Sequence, residues 1–140
     1  LIKQNIDIQN YVNTNFSLTE ILNLVSNSNY KNTIDDIYQM FLSLNSSQDI
    51  PKVVNNLSNT NKQLFYPCLQ DIILNCLDPK ETKFDKKMLD LINSKFPQKA
   101  LLKCLPLIED AYKKNTANVN FFYCLDNLLF NMLKEKYLCS

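Results

Sequence analysis

The sequence contains no glycine, histidine, arginine or tryptophan, and each absence excludes a kind of functional site. Without glycine, no glycine-rich loop can bring its backbone close to a phosphate group. Without histidine, the chain lacks the usual general base and the commonest metal ligand. Without arginine, it lacks the bidentate clamp that binds phosphate or guanine. We therefore expect that the chain is not an enzyme and has no catalytic, cofactor-binding or metal-binding residues.

Length and charge are those of an ordinary globular chain. With 140 residues and 46% hydrophobic residues, one domain covering residues 1–140 can bury a sufficient core without disulfides or metal. The net charge of +1 argues against nucleic acid as a partner. No apolar run approaches the roughly 20 residues that span a bilayer. Residues 1–15 are expected to form a weakly ordered arm or a short helix, and abundant asparagine is typical of an AT-rich genome.

Five cysteines are present, an odd number, and no two of them form a CxxC pair. Most of them fall at apolar positions of helical patterns. This placement predicts buried, reduced thiols in a cytoplasmic protein, and the alternative is a redox or metal-binding role. The residues concerned are Cys68, Cys76, Cys104, Cys124 and Cys139.

Apolar residues recur at helical spacing along nearly the whole chain, and no segment shows the sustained alternation of a strand. The sequence therefore predicts an all-α domain of roughly seven to eight helices with short loops. The helical patterns cover residues 18–25, 34–42, 50–57, 64–77, 84–92, 101–112 and 119–133. The pattern over 64–77 has the widest apolar stripe, so this helix is expected to be central. Tyrosine and phenylalanine share these stripes with leucine and isoleucine, which predicts that they belong to the core.

Several helix ends have local signals. The segment from Ser17 to Glu20 is a capping-box pattern that opens the first helix, and Thr33 is expected to cap the second. Pro51 is compatible with the first turn of a short helix. Pro79 and Pro97 are expected to end the helices that precede them.

The polar clusters lack the residue types of a reactive site. Asp35 and Asp36 are expected in the first turn of a helix, where carboxylates interact favourably with the helix dipole. A second carboxylate pair, Glu109-Asp110, lies near the end of a helix. The lysines of the run have acidic neighbours, which favours solvated surface over a nucleic-acid patch. They are Lys80, Lys83, Lys86, Lys87, Lys99 and Lys103.

Two of the apolar helices carry a similar pattern, which we call the internal echo. Equivalent core helices in a stacked helical solenoid would produce such a pattern, and so would two apolar helices built from a biased composition. The paired identities are Phe65/Phe121, Cys68/Cys124, Leu69/Leu125, Asn75/Asn131 and Leu77/Leu133.

A resemblance to a known family covers the chain from Ile37 to Leu74. A helical segment over 37–44 is followed by an Asp49-Ile50 helix start, a Leu57-Ser58 break and a long apolar helix. In this order the features resemble the small fifth subunit of the actin-related protein 2/3 complex, which nucleates branched actin filaments. The resemblance implies an armadillo- or HEAT-like α-α superhelix, acting as a non-catalytic scaffold at the cytoskeleton. Its partners would be protein subunits, including actin-related proteins.

The chain departs from that family in three places. The lysine- and tyrosine-rich signature of the family's central helix is replaced here by the stretch from Pro67 to Ile72. The family's glycine-containing C-terminal signature is absent, and the helical pattern over 119–133 extends beyond the family's usual end. The family's contact residues are therefore not assigned to positions in this chain.

A second stretch, from Phe122 to Leu129, resembles the core helix of domains that bind the RNA polymerase tail. Those domains continue for several more helices, whereas few residues follow Leu129 here. The leading hypothesis is therefore a cytoplasmic, helical protein-interaction scaffold without a membrane partner or small-molecule substrate. The alternatives are a helical adaptor of another complex and a nucleic-acid-associated or polymerase tail-binding domain.

Overall fold

The computed structural model of the protein describes residues 29–79 and 84–139. These ranges contain six α-helices, one short 3-10 turn and no strand, so the all-α class is confirmed for the described chain. The elements are α1 Asn29–Ser43, the 3-10 turn Ser47–Asp49, α2 Ile50–Asn56, α3 Lys62–Leu77, α4 Lys86–Lys95, α5 Gln98–Thr116 and α6 Phe121–Leu138. The count is slightly below the expected seven to eight. The predicted helix over 18–25, its capping box and the arm over 1–15 lie outside the described residues.

Proline residues mark four of the helix ends. α2 has Pro51 in its first turn, and α3 ends at Leu77, directly before the Asp78-Pro79 pair. α4 ends at Lys95, and Pro97 is the N-cap of α5. The prediction that prolines 79 and 97 separate helices is confirmed, because the residue before a proline disfavours helical backbone angles.

The predicted start of α1 is wrong. Thr33 is buried inside this helix and does not cap it, and Asp35 and Asp36 lie beyond its first turn. The helix includes earlier residues because Tyr30 and Ile34, one turn apart, both pack against the core. The sequence pattern began at Ile34 and missed the contribution of Tyr30.

The predicted central position of α3 is confirmed. Eleven of its sixteen residues are buried, around the whole circumference of the helix. It packs against α1, α4 and α5, while α5 in turn packs against α6. This arrangement of neighbouring helices fits a short α-α superhelix. α2 also packs against α6, so the early and late parts of the described chain meet around one core.

Lys95, the last residue of α4, links this helix to the end of α1 and to the loop that follows α1. The Lys95 ammonium donates to the carbonyl oxygens of Phe41 and Leu42, at 2.5 and 3.1 Å, and to Asn45 Oδ1 at 3.0 Å. It thereby satisfies carbonyl groups that the last turn of α1 leaves without partners. Desolvation lowers the pKa of Lys95, and the nearby charge of Lys136 on α6 acts in the same direction.

Candidate protein-interaction face on helix α6

The turn between α5 and α6 fixes the direction of the last helix. The Val119 amide donates to the Lys114 carbonyl at 3.0 Å, and the Asn118 amide donates to the Asn115 carbonyl at 3.1 Å. These bonds form a Schellman motif, whose left-handed position is usually glycine. In this glycine-free chain Asn118 takes it, with φ of 67°, since asparagine tolerates that region. Val119, where the last helix was predicted to begin, is therefore an exposed turn residue before α6.

An asparagine cap then starts α6. The Asn120 Oδ1 atom accepts hydrogen bonds from the amides of Phe122 and Tyr123, at 2.9 and 3.1 Å. These bonds satisfy two of the amides that a helix start leaves unpaired. The cap and the preceding turn together set where each side chain of α6 lies around the helix.

One face of α6 is firmly packed. It lies against α5 and α2, and the Phe121 ring meets Phe65 of α3 edge-on, with ring centres 5.6 Å apart. Near the other end, Lys103 of α5 lies 3.9 Å from the Glu135 carboxylate. The buried residues of this face are Phe121, Cys124, Leu125, Leu128, Leu129, Met132 and Leu133.

The opposite face of α6 carries three exposed aromatic side chains, Tyr123, Phe130 and Tyr137, which we call the α6 stripe. Their exposed fractions are 65%, 53% and 64%. The residues are seven positions apart, so they project from the same side of the helix at intervals of ~10 Å. Leu138, 67% exposed, adjoins the end of the stripe. Single exposed apolar residues are common on protein surfaces, but an aligned series is typical of a binding surface.

Two charges flank the centre of the α6 stripe. Asp126 lies four residues before Phe130 and Lys134 lies four residues after it, and both are exposed. On the side facing α5, Asp110 and Lys114 form an ion pair at 2.9 Å. The hydrogen bond and charge of Asp110 raise the pKa of Lys114. That pair is internally neutral, and Asp126 and Lys134 are the charged residues within four positions of Phe130 along α6.

A groove of about 350 Å³ lies between α1 and α2. Among its described lining residues the only ionisable side chain is Asp36. Acid–base and nucleophilic mechanisms use a reactive group together with a second group that activates it. The groove therefore has little of the chemistry of an active site. Its lining residues are Asp36, Gln39, Met40, Ser43, Val53, Asn56 and Leu57.

The other predicted polar clusters are surface features. Glu109 pairs with Lys113 at 3.1 Å, one helical turn further along α5. Asp110 pairs with Lys114 in the same way, so the second carboxylate pair forms intrahelical ion pairs. The described lysines of the predicted run are exposed, and residues 80 and 83 lie outside the described residues. The exposed lysines are Lys86, Lys87, Lys99 and Lys103.

The predicted burial of the cysteines is confirmed for four of the five. Cys68, Cys76, Cys104 and Cys124 are buried free thiols, and Cys139 is half-buried. Burial raises the pKa of Cys76 and of Cys104 to about 12. These two thiols therefore stay protonated and unreactive near neutral pH. Within the described ranges, no three metal-ligating side chains converge.

Sequence reasoning missed the α6 stripe. The aromatic residues were expected in the core, which is wrong for Tyr123, Phe130 and Tyr137. A signal was available, because these aromatic residues recur at seven-residue spacing on a helix whose other face already has enough leucine for a core. The spacing alone does not say which face is covered, since that depends on how α2 and α5 pack.

No family model, characterised protein or solved structure is significantly similar to this chain. Within the described ranges, the helices are too short or too polar to cross a bilayer. A functional proposal therefore rests on the chemistry of the α6 stripe and its surroundings.

Proposed function

We propose that this chain is a non-catalytic, helical protein-interaction domain that binds a protein partner through the α6 stripe. The observation that carries this proposal is the alignment of three exposed aromatic rings along one side of a packed helix. Large aromatic side chains are enriched at protein interfaces, where tyrosine in particular supplies much of the binding energy.

The way α6 is held also suits binding. The helix is fixed by its asparagine cap, by the turn at Asn118 and by a fully packed inner face. Its outer side chains are therefore presented from a rigid element, and little backbone order would be lost when a partner binds. The exposed Tyr123 also has a hydroxyl group that can donate a hydrogen bond at the rim of an interface.

Site-specific crosslinking would test this proposal. A photo-reactive amino acid would replace Phe130 in the full-length tagged protein, and in a matched control it would replace Leu102, an exposed apolar residue on α5. We expect crosslinks to protein from position 130 and few from position 102. Equal crosslinking at both positions, or none at either, would contradict an interface at the α6 stripe.

The more specific proposal is a divergent fifth subunit of the actin-related protein 2/3 complex, acting in the cytoplasm. Its support is the resemblance over residues 37–74, and the described elements there follow the same order of helix, turn, short helix and long buried helix. Affinity purification of the full-length protein should recover the other subunits of that complex. Their absence, or retention on a nucleic-acid resin that falls steeply with salt, would reject this identity.

A further inference from the structure

We propose that the occupant of the α6 stripe is a second copy of the same chain, paired in the antiparallel direction. This inference rests on the proposed function, because it requires the stripe to be a binding face. It adds the identity of the partner and the register of the pairing. Two features of the stripe carry it: its symmetry about Phe130 and the placement of the flanking charges.

The stripe is symmetric along the helix. Tyr123 and Tyr137 lie seven residues before and after Phe130. If two α6 helices pack face to face and antiparallel, with Phe130 at the centre, the two Phe130 rings meet each other. Each Tyr123 then lies at the level of Tyr137 from the other copy. Such a surface is self-complementary, as a two-fold interface must be.

The charges follow the same symmetry with opposite sign. Asp126 and Lys134 lie four residues on either side of Phe130. In the antiparallel pair each Asp126 therefore lies at the level of Lys134 from the other copy. The two-fold symmetry gives two such pairs. A parallel pair would place carboxylate beside carboxylate and ammonium beside ammonium, which is repulsive. The charge pattern thus selects the antiparallel direction.

The exposed area of the α6 stripe sets the expected affinity of the dimer. A fully buried aromatic side chain contributes about 150–250 Å², and a little more than half of each ring is exposed here. The three rings therefore offer roughly 300–400 Å² per copy, below the ~800 Å² per partner of a typical stable interface. The flanking residues add to this area, and we expect a reversible dimer with Kd on the order of micromolar.

The first test is sedimentation equilibrium of the full-length chain across a wide concentration range, with folding of each variant checked by circular dichroism. We expect a monomer–dimer equilibrium that Phe130→Ala weakens by about tenfold or more, because the central ring is lost from both sides. Leu102→Ala, at the exposed residue on α5, should change Kd less than about twofold. A monomer at every concentration overturns the proposal, and so does equal weakening by both variants.

The second test is a charge exchange, which reports on direction. Asp126→Lys should weaken the dimer by about three- to tenfold, and Lys134→Asp should do the same, because each creates two like-charge contacts. Mixing the two single variants, or combining both changes in one chain, restores opposite charges in the antiparallel register. Recovery in the double variant supports the antiparallel direction, because a parallel pair of that variant would still place like charges together. Recovery only on mixing, which a parallel pair also allows, or in neither arrangement overturns the antiparallel assignment.

The two proposals fail in distinguishable ways. If the chain stays monomeric but position 130 still crosslinks to a different protein, the α6 stripe is an interface whose occupant is not a second copy. That result overturns only the self-association. If the stripe neither self-associates nor crosslinks, both proposals fall.

Discussion

Helices α3 and α6 carry nearly the same local pattern but have different surroundings. Both begin after an asparagine cap and share buried phenylalanine, cysteine and leucine at matching positions of the internal echo. Each helix also contains an equivalent hydrogen bond from an asparagine side chain to a backbone carbonyl. Asn75 Nδ2 donates to the Asp71 carbonyl at 2.8 Å, and Asn131 Nδ2 donates to the Asn127 carbonyl at 2.9 Å. The two helices therefore have similar local structure at these positions, although the caps fall at different distances from the shared phenylalanine.

The difference lies on the outer face. Pro67 is buried in α3, while its counterpart in α6, Tyr123, is largely exposed. Leu74 is half-buried, and its counterpart Phe130 is exposed. α3 has packed helices on all sides, whereas α6 is covered by α2 and α5 on one side. At positions where α3 carries covered residues, α6 carries exposed aromatic residues. We expect this of a helix whose outer face binds a partner.

The strongest test of this comparison is truncation of one ring in each helix. Phe65→Ala should lower the free energy of unfolding by about 3–5 kcal/mol, because it opens a cavity in the core. Phe130→Ala should change it by less than about 1 kcal/mol, since that ring is mostly exposed. Urea unfolding at low protein concentration would measure both without a contribution from association. A comparable loss at the two sites would show that Phe130 is covered within the monomer, and the stripe would not exist.

The loss of stability at alkaline pH allows the buried thiols of α3 and α6 to be compared. Burial raises the pKa of Cys76 from 9.0 to about 12, so the folded state keeps a proton that the unfolded state loses above pH 9. The contribution of this thiol to the free energy of unfolding is fully present below pH 9. It is lost as pH rises above 9, at ~1.4 kcal/mol per pH unit. Cys76→Ala should make the decline between pH 9 and 11 shallower by that amount.

Cys124 on α6 provides the contrast. Burial also raises its pKa, but the charge of Lys114 acts in the opposite direction. Cys124→Ala should therefore reduce the alkaline slope by less than Cys76→Ala does. Unfolding curves recorded at several pH values would give both slopes. A larger reduction for Cys124→Ala would contradict the view that α3 is the more deeply buried helix.

The equivalent asparagine hydrogen bonds of α3 and α6 allow a matched comparison with a smaller expected effect on stability. Asn75 also lies 3.3 Å from the carboxylate oxygen of Asp71, which is buried. Asn75→Ala should cost about 1–2 kcal/mol, because a buried polar group loses a donor. Asn131→Ala removes the equivalent bond at an exposed position and should cost less than ~0.5 kcal/mol. Equal costs in urea unfolding would indicate that the two bonds share one environment.

Features that depend on neighbouring residues could be predicted from the sequence. Pro79 and Pro97 end helices through local sterics, and the wide apolar stripe of α3 indicates its central position. The burial of most cysteines follows from the same periodicity. The all-α class can also be predicted locally, because the helical spacing of apolar residues is visible within each segment.

Features that depend on distant contacts could not be predicted. Tyr123 and Phe122 are adjacent, yet one is exposed and the other half-buried, because α5 and α2 cover only part of α6. Tyr30 extends α1 because it reaches the core formed by other helices. The candidate face was missed for this reason: an aromatic residue has the same local pattern whether or not another helix covers it.

The smallest expected effect concerns two tyrosine hydroxyl groups. The Tyr66 hydroxyl on α3 is buried and finds no hydrogen-bond partner among the described residues. Tyr66→Phe should therefore leave stability unchanged or raise it by up to ~1 kcal/mol, because a desolvated polar group is removed. Tyr123→Phe, at the exposed ring of α6, should stay within about 0.5 kcal/mol of the parent protein.

The pH dependence of the Tyr66 variant gives a second readout. Burial raises the pKa of Tyr66 above its ordinary value of 10.0, and the nearby Cys124 adds to this effect. The unfolded state therefore ionises this phenol first, and stability falls as pH rises above 10. Tyr66→Phe should remove that part of the decline, and Tyr123→Phe is the control. A loss of more than about 1 kcal/mol at neutral pH for Tyr66→Phe would instead show that the hydroxyl group makes a stabilising hydrogen bond.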